Sequence, residues 1–269
     1  MLDLVVFTQY PRTYGPKRFQ EEAVKLGLTC KIKSYKYTDL KDLPGSKFVI
    51  LREPTAYKKI YDLRDAALNF YISKNSKILN QKSYLKWSVL DKKVQANEFE
   101  KGGVPSIKAL NSYTNEFPFI VKSKSGSHGD HVFKIEKKGE LDAVYKKGYK
   151  KEDLLFQEFL NSGFDLRVIV LDGKVLGIMK RTPREGEFLS NFSQGGIVSK
   201  YEGSDEEIIK DIAINAARHF LLDYVGVDLM MGNDGKWRVL EVNRACQFKG
   251  FEQATDVNVA SEVVQFIAG

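Results

Sequence analysis

Gly226-Val227-Asp228-Leu229-Met230-Met231, then Gly232-Asn233-Asp234-Gly235-Lys236, then Trp237-Arg238-Val239-Leu240-Glu241-Val242-Asn243 is the stretch on which the fold reading turns. Two apolar runs flank Asn233-Asp234-Gly235, a turn signal, and the pattern predicts a β-hairpin with strands at 226–231 and 237–243. Side chains alternate across a strand, so Glu241 and Asn243 share a face, and pairing across the turn brings Asp228 beside them. Three oxygen donors then meet on strands otherwise built from Val225, Val227, Leu229, Val239, Leu240 and Val242. Apolar strands seldom carry carboxylates without a partner. A hard cation such as magnesium takes such donors together with phosphate oxygens. The spacing leaves two other readings open: a strand edge with solvated acids, or an acid paired with Arg244 or Arg167.

Outward from this hairpin, residues 166–171 and 175–180 flank Asp172-Gly173, a second two-residue turn. Between the hairpins a helix is predicted over about 205–222, opening with a capping box from Ser204 to Glu207 and carrying a stripe of Ile209, Ile212, Ala213, Ala216 and Phe220. A final helix spans about 257–267, so the C-terminal third reads as an antiparallel sheet backed by helices. At the other end, apolar strands at 4–7, 48–51 and 77–79 alternate with helices at 17–26 and about 55–69, which predicts a small lobe with parallel strands. A helix over about 88–101 is stopped by Gly102-Gly103, and short strands across 106–159 surround Ser125-Gly126-Ser127-His128-Gly129-Asp130. The fold class is α/β (α+β) in three lobes: residues 1–80, 81–160 and 161–269.

Three cations could meet phosphate. Lys122 ends the strand Phe119-Ile120-Val121 just before the glycine-containing loop, whose backbone N–H groups can approach an anion. Lys92 lies early in a helix, and Arg181 stands beyond the strand at 175–180. From the residues alone, a plain hairpin turn for the loop and an ordinary surface lysine for Lys92 are the preferred readings. Phe156-Gln157-Glu158-Phe159-Leu160 joins two lobes, a usual place for a flat heterocycle. Asp165 after it either accepts from a ribose hydroxyl or is solvated. The histidines are His128, His131 and His219, and no serine or cysteine has a base partner in the pattern. His219 reads as structural and Cys246 as a packed thiol. P-loop and dinucleotide-binding glycine signatures are absent.

A net charge of +7 over 269 residues favours an anionic partner. Many of the lysines fall on surface helices, and no zinc-finger spacing or recognition-helix pattern supports a nucleic-acid binder. No apolar run is long enough to span a bilayer, the first residues read as a buried strand rather than a signal peptide, and two cysteines make no disulfide framework. The expectation is a cytoplasmic protein.

In order, Asp91-Lys92 with Gly103, Ile120-Val121-Lys122 with Gly126-Ser127-His128-Gly129, Gln157-Glu158-Phe159-Leu160, Asp165-Leu166-Arg167, Arg181, Glu185-Gly186-Glu187-Phe188-Leu189-Ser190-Asn191, Gly226-Val227-Asp228, Glu241-Val242-Asn243 and Gly250-Phe251-Glu252 form a joint signature. From about residue 80 onward the chain resembles ATP-grasp carboxylate–amine ligases, in particular the RimK type, which adds glutamate to the tail of a ribosomal protein. The resemblance implies an ATP-grasp fold with a small N-terminal lobe, a central lid lobe and a C-terminal lobe with an antiparallel sheet. It implies ATP and Mg2+ (or Mn2+ in its place) as cofactors, an amino acid or a peptide or protein tail as substrate, and a homo-oligomer. Lys92 and Lys122 would contact the phosphates, Glu158 and Phe159 the adenine, Asp165 the ribose, and Gln157, Leu160, Ser190 and Asn191 would belong to the nucleotide site. Asp228, Glu241 and Asn243 match the family's magnesium ligands, and Arg181, Lys122 and Asn243 would act on the transferred phosphoryl group. The sequence departs from the type enzyme at Ser123, at Leu189, near His131 and at Arg244-Ala245-Cys246-Gln247. Arg244 and Arg167 are candidate anchors for a substrate carboxylate, and Arg244 could equally bridge to Glu241 or Glu252. A different ATP-grasp product, such as a phosphorylated small molecule, and an ATP-binding module without catalysis are the alternatives.

Overall fold

The computed structural model describes residues 1–52, 58–111, 116–124, 131–184 and 196–269. The first lobe contains β1 (Leu2–Thr8), α1 (Tyr14–Lys25), β2 (Cys30–Ser34), β3 (Ser46–Arg52), α2 (Lys58–Ser73) and β4 (Lys77–Ile78). Its strands are all parallel, in the order β2-β1-β3-β4. Both faces of β1 are covered, which is why it reads as an unbroken apolar run. Val5, Phe7, Val49 and Leu51 pack against Ala67, Leu68 and Tyr71 of α2. On the other face Leu4, Val6 and Ile50 share a core with Phe19 and Ala23 of α1 and with Val259, Val263 and Ile267 near the C-terminus.

Next come α3 (Gln81–Lys86) and α4 (Lys92–Lys101). The helix expected from about residue 88 starts only at Lys92, because the Asp91 carboxylate caps the N–H groups of Lys93 (2.9 Å) and Val94 (2.8 Å). The central lobe has β5 (Phe119–Ser123), β6 (Val132–Ile135), α5 (Glu140–Lys146) and β7 (Leu154–Glu158), as an antiparallel sheet in the order β6-β5-β7. Phe119, Val121, Ile135, Val144, Leu154 and Phe156 give it a core of its own.

The last lobe holds β8 (Asp165–Leu171), β9 (Lys174–Thr182), β10 (Ile197–Lys200), α6 (Glu206–His219), β11 (Tyr224–Met231), β12 (Trp237–Asn243), α7 (Lys249–Thr255) and α8 (Val259–Ala268). Its antiparallel sheet runs β10-β9-β8-β11-β12. Both central residues of the β8–β9 turn have positive φ, Asp172 at 49° and Gly173 at 70°, as a type I′ hairpin requires. One face packs on α6 through Val168, Val227, Val239, Ile209, Ala213 and Phe220. The expected Ser204–Glu207 capping box is not what opens α6. Asp205 stands at the cap without a capping bond, and its carboxylate accepts instead from Tyr201 Oη (2.6 Å) and Trp237 Nε1 (2.5 Å). Among the described residues no helix is long and apolar enough to cross a membrane.

A short segment ties the last two sheets together. Val239 N–H donates to Pro105 O (2.8 Å) and Ile107 N–H to Val239 O (3.2 Å). Three residues on, Leu110 N–H donates to Phe156 O (2.9 Å), and Glu158 N–H donates to Lys108 O (3.1 Å). One stretch of chain thus borders β12 and then β7.

Candidate nucleotide and metal site

The register of β11 and β12 pairs Asp228 with Glu241 and Gly226 with Asn243, and that of β11 and β8 sets Arg167 opposite Asp228. Arg167 forks onto Asp228, Nε to Oδ1 and Nη2 to Oδ2, both at 2.7 Å. Arg181 Nη2 reaches Asp228 Oδ2 at 3.1 Å and bonds Asp165 through Nε. Burial alone would raise the Asp228 carboxyl, but Arg167 and Arg181 outweigh it and hold the group below the ordinary carboxylate range. Asn243 Nδ2 lies 3.0 Å from Glu241 Oε1 and 3.5 Å from Asp228 Oδ2. The three predicted donors therefore converge, and the alternative of an acid paired with Arg167 holds in the same place.

Two further contacts set this strand end. Gln95 of α4 takes both backbone groups of Val242, accepting from its N–H (2.8 Å) and donating to its carbonyl (3.2 Å). Gly226 lets the chain after Asn243 fold back, since a Cβ there would meet Cys246 Cβ at 2.7 Å. Cys246 is buried, donates to Tyr224 Oη at 3.1 Å, and burial pushes its thiol pKa up. Gln95 carried no sequence signal, because its role rests on a strand edge that is distant in the chain.

The central sheet faces this cluster. Directly opposed residues point to one side, and the register opposes Ile120 to Gln157 and Lys122 to Leu155. Phe119, Val121 and Phe156 fill the lobe's own core, so Lys122 and Gln157 stand on its other face. The Lys122 ammonium is drawn down to about 8: burial lowers it most, Glu241 pulls it up, and Lys92 pushes it down again. Lys122 thus lies within electrostatic reach of Lys92, the first residue of α4, and of Glu241 and Asp228. The carboxamide oxygen of Gln157 is buried with no donor among the described residues.

The other predicted residues are spread around this pair of faces. Glu158 accepts from Lys108 N–H (3.0 Å) and meets Arg238 (3.6 Å), and Leu160 is buried. The Phe159 ring lies 4.5 Å from Lys134 Nζ, and its carbonyl accepts from Asn233 (3.3 Å). Asp165 is buried against Arg181. Arg244 is buried too, donating to the carbonyls of Trp87 (2.7 Å) and Ser88 (3.2 Å) over the Tyr84 ring. Glu252 accepts from Tyr14 Oη (2.5 Å) and lies 3.6 Å from Arg18. His219 closes α6 over Gly102, near Glu98 (3.6 Å). Ser190, Asn191 and the glycine loop at 125–130 lie outside the described residues.

The donor chemistry suits a magnesium nucleotide. Two carboxylates and one amide offer hard oxygen ligands once the Asn243 amide is turned, and its oxygen and nitrogen are interchangeable in shape. Gln157 offers an exocyclic amine the acceptor partner it lacks in the protein.

Comparison with known proteins fits this site. A curated protein named "Probable alpha-L-glutamate ligase" from Maridesulfovibrio salexigens is 34% identical over 154 residues, 56% of this chain and 50% of that protein. One of the same name from Syntrophotalea carbinolica is 37% identical over 154 residues, with the same coverage of 56% and 50%. The chain spans about half the length of the curated relatives it matches. The fold is shared with the ATP-grasp ligase PsnB complexed with minimal precursor, with a TM-score of 0.75, 21% identity and 99% of both chains covered. It is shared too with the macrocyclase MdnC bound with precursor peptide MdnA from Microcystis aeruginosa, with a TM-score of 0.71, 13% identity and 99% of both chains covered. The model of the RimK-like ATP-grasp domain matches residues 74–267, and the chain belongs to that family.

Proposed function

We propose that the chain is a Mg-ATP-dependent carboxylate–amine ligase that forms an amide or peptide bond through an acyl phosphate. The observation that carries this reading is the meeting of Asp228, Glu241 and Asn243 with Arg167, Arg181 and Lys122 between two sheets. Asp228, Glu241 and Asn243 would hold the cation, and magnesium supplies positive charge at the phosphate oxygens. Lys122 and Lys92 offset phosphate charge from the central sheet, and Arg181, fixed by Asp165 and Asp228, meets the charge that develops on the transferred group. A substrate carboxylate would attack the γ-phosphate and release ADP, giving an acyl phosphate, from which an amine would then displace phosphate. Gln157 accepts from the adenine amine. An amino acid or peptide as substrate is supported by the names of the relatives and of the structural neighbours.

The test is ADP release. The ligase reading predicts ADP and phosphate only when an acid and an amine are both supplied, and no turnover in Glu241→Gln. Nucleotide binding without ADP from any acid and amine mixture would leave a binding module instead. Full activity in Glu241→Gln would remove the metal assignment.

A further inference from the structure

We propose that the carboxyl edge of the N-terminal sheet forms a carboxylate anchor centred on Arg52, which holds one of the substrates beside the phosphoryl-transfer site; this rests on the ligase reading. Arg52 ends β3 opposite Thr8, the last residue of β1, and is 5% exposed. Its Nη2 donates to the carbonyls of Ala245 (3.0 Å) and Cys246 (3.2 Å). Arg64 and Arg181 are enclosed to a similar degree, and each meets a carboxylate. Among the described residues Arg52 meets none. A buried cation without a counter-charge is costly unless a ligand supplies one.

The surroundings sharpen that need. The guanidinium lies against the first turn of α1, where a Cβ on Gly15 would stand 3.2 Å from Cζ and from Nη1. Thr13 makes no side-chain cap there, and the first turn holds no acid. The helix therefore turns an uncompensated positive end toward a place already holding a cation, an arrangement an oxyanion between them makes favourable. Gln9, the residue after β1, is 5% exposed, and its carboxamide oxygen has no donor among the described residues. The chain leaves β1 for β2 on one side and then crosses to β3 on the other, and open parallel sheets bind ligands at the carboxyl ends of strands at such a switch. The bonds to Ala245 and Cys246 place the anchor two and three residues past Asn243 along the chain.

Calorimetric titration of the full chain, with Mg2+ and a non-hydrolysable ATP analogue present, tests the anchor without turnover. The probes are L-glutamate, glutarate and inorganic phosphate. L-Glutamate and glutarate are both expected to bind through a carboxylate, and phosphate to fail to displace either. Arg52→Gln should weaken L-glutamate by about tenfold or more, the scale of removing one partner of a buried charge pair. Arg52→Lys should weaken it less, since it keeps the charge but not the fork. Gly15→Ala, which suits a helix but presses on the guanidinium, should weaken it in a chain that still folds, and ATP-analogue affinity should stay within about twofold in all three. Unchanged L-glutamate affinity in Arg52→Gln and Gly15→Ala, displacement by phosphate, or no binding of either carboxylate to the unaltered chain would overturn the anchor. Binding that behaves as expected while no acid and amine mixture releases ADP would leave the anchor standing and remove the ligase reading alone.

Discussion

Gln95→Leu tests whether the metal-site strand is held by a side chain acting as a missing neighbour strand. β12 is an edge of its sheet, and Val242 sits between Glu241 and Asn243. The carboxamide of Gln95, 6% exposed, satisfies both outward backbone groups of Val242 and also reaches Leu90 O at 3.1 Å. Leucine has nearly the same volume but leaves a buried N–H and a buried carbonyl without partners. Each such orphan costs about 1–3 kcal/mol, against which the apolar side chain returns part, so the net loss is about 2–4 kcal/mol. In a chain of this size that is a fall in Tm of roughly 5–15 °C. Urea denaturation followed by circular dichroism measures it, with the slope against denaturant unchanged. Gln95→Glu keeps an acceptor for Val242 N–H and loses the donor to its carbonyl, so its midpoint should fall between the two. The apparent KM for magnesium should rise in the same order as stability falls, because Glu241 and Asn243 flank the loosened residue. A leucine variant within about 0.5 kcal/mol of the unaltered chain, the range of neutral substitutions, would refute the clamp.

Other substitutions probe other parts. Asp228→Asn should cost about 3–5 kcal/mol by leaving Arg167 buried without its carboxylate, and adding Arg167→Met should return part of that loss in a denaturation double-mutant cycle. Asn80→Ala should cost about 2–3 kcal/mol, since Asn80 pairs with Tyr224 N–H (2.9 Å) and Tyr224 O (2.7 Å) at the start of β11. Asp205 gives a pH dependence. Burial works against its ionisation, yet the Tyr201 and Trp237 donors hold its carboxyl below the ordinary aspartate range. A depressed folded pKa contributes stability that is present above the unfolded value and lost as pH falls through the folded one. Asp205→Ala should thus be about 1–2 kcal/mol less stable at pH 7, with the gap closing below about pH 4, read by unfolding under Trp237 fluorescence.

Much of the frame was legible because it rests on local chemistry. Asp172-Gly173 and Asn233-Asp234-Gly235 mark their hairpins, and the period of two puts Glu241 and Asn243 on one face whatever lies around them. The strand β2 was not legible, since Lys31 and Lys33 break the apolar pattern of Cys30-Lys31-Ile32-Lys33-Ser34 at the edge of the sheet. α7 is a short helix whose boundaries follow packing of Phe251 rather than any cap in the sequence. The choice between a metal ligand and an ion pair for Asp228 could not be made from spacing, and the geometry shows why. The arginine fork takes one edge of the carboxylate from β8 while Glu241 and Asn243 approach from β12, so the two readings describe opposite sides of one group. Arg52 carried no motif at all. It gains meaning only from Gly15 and Ala245, far away in the chain.

The way the cores divide bears on how such a site could work. Leu4, Val6 and Ile50 of the parallel sheet are in one cluster with Ile169, Met179, Phe248 and Val263. Three polar ties reinforce that union: Tyr14 to Glu252, Asn80 to Tyr224, and Arg52 to the carbonyls of Ala245 and Cys246. The proposed carboxylate anchor and the metal carboxylates are therefore fixed by one continuous packing, and their separation is a built dimension. The sheet bearing Lys122 and Gln157 has a separate core. Its backbone bonds to the rest run through residues 105–110, which border β12 at one end and β7 at the other, and through Lys92 N–H to Lys124 O (3.3 Å). A change in the angle between the sheets would thus carry Lys122 and Gln157 toward or away from Asp228 and Glu241 while leaving Arg52 undisturbed. That division suits the proposed ligation, in which phosphates would be enclosed anew in each cycle while the acid and the amine would meet at a constant distance.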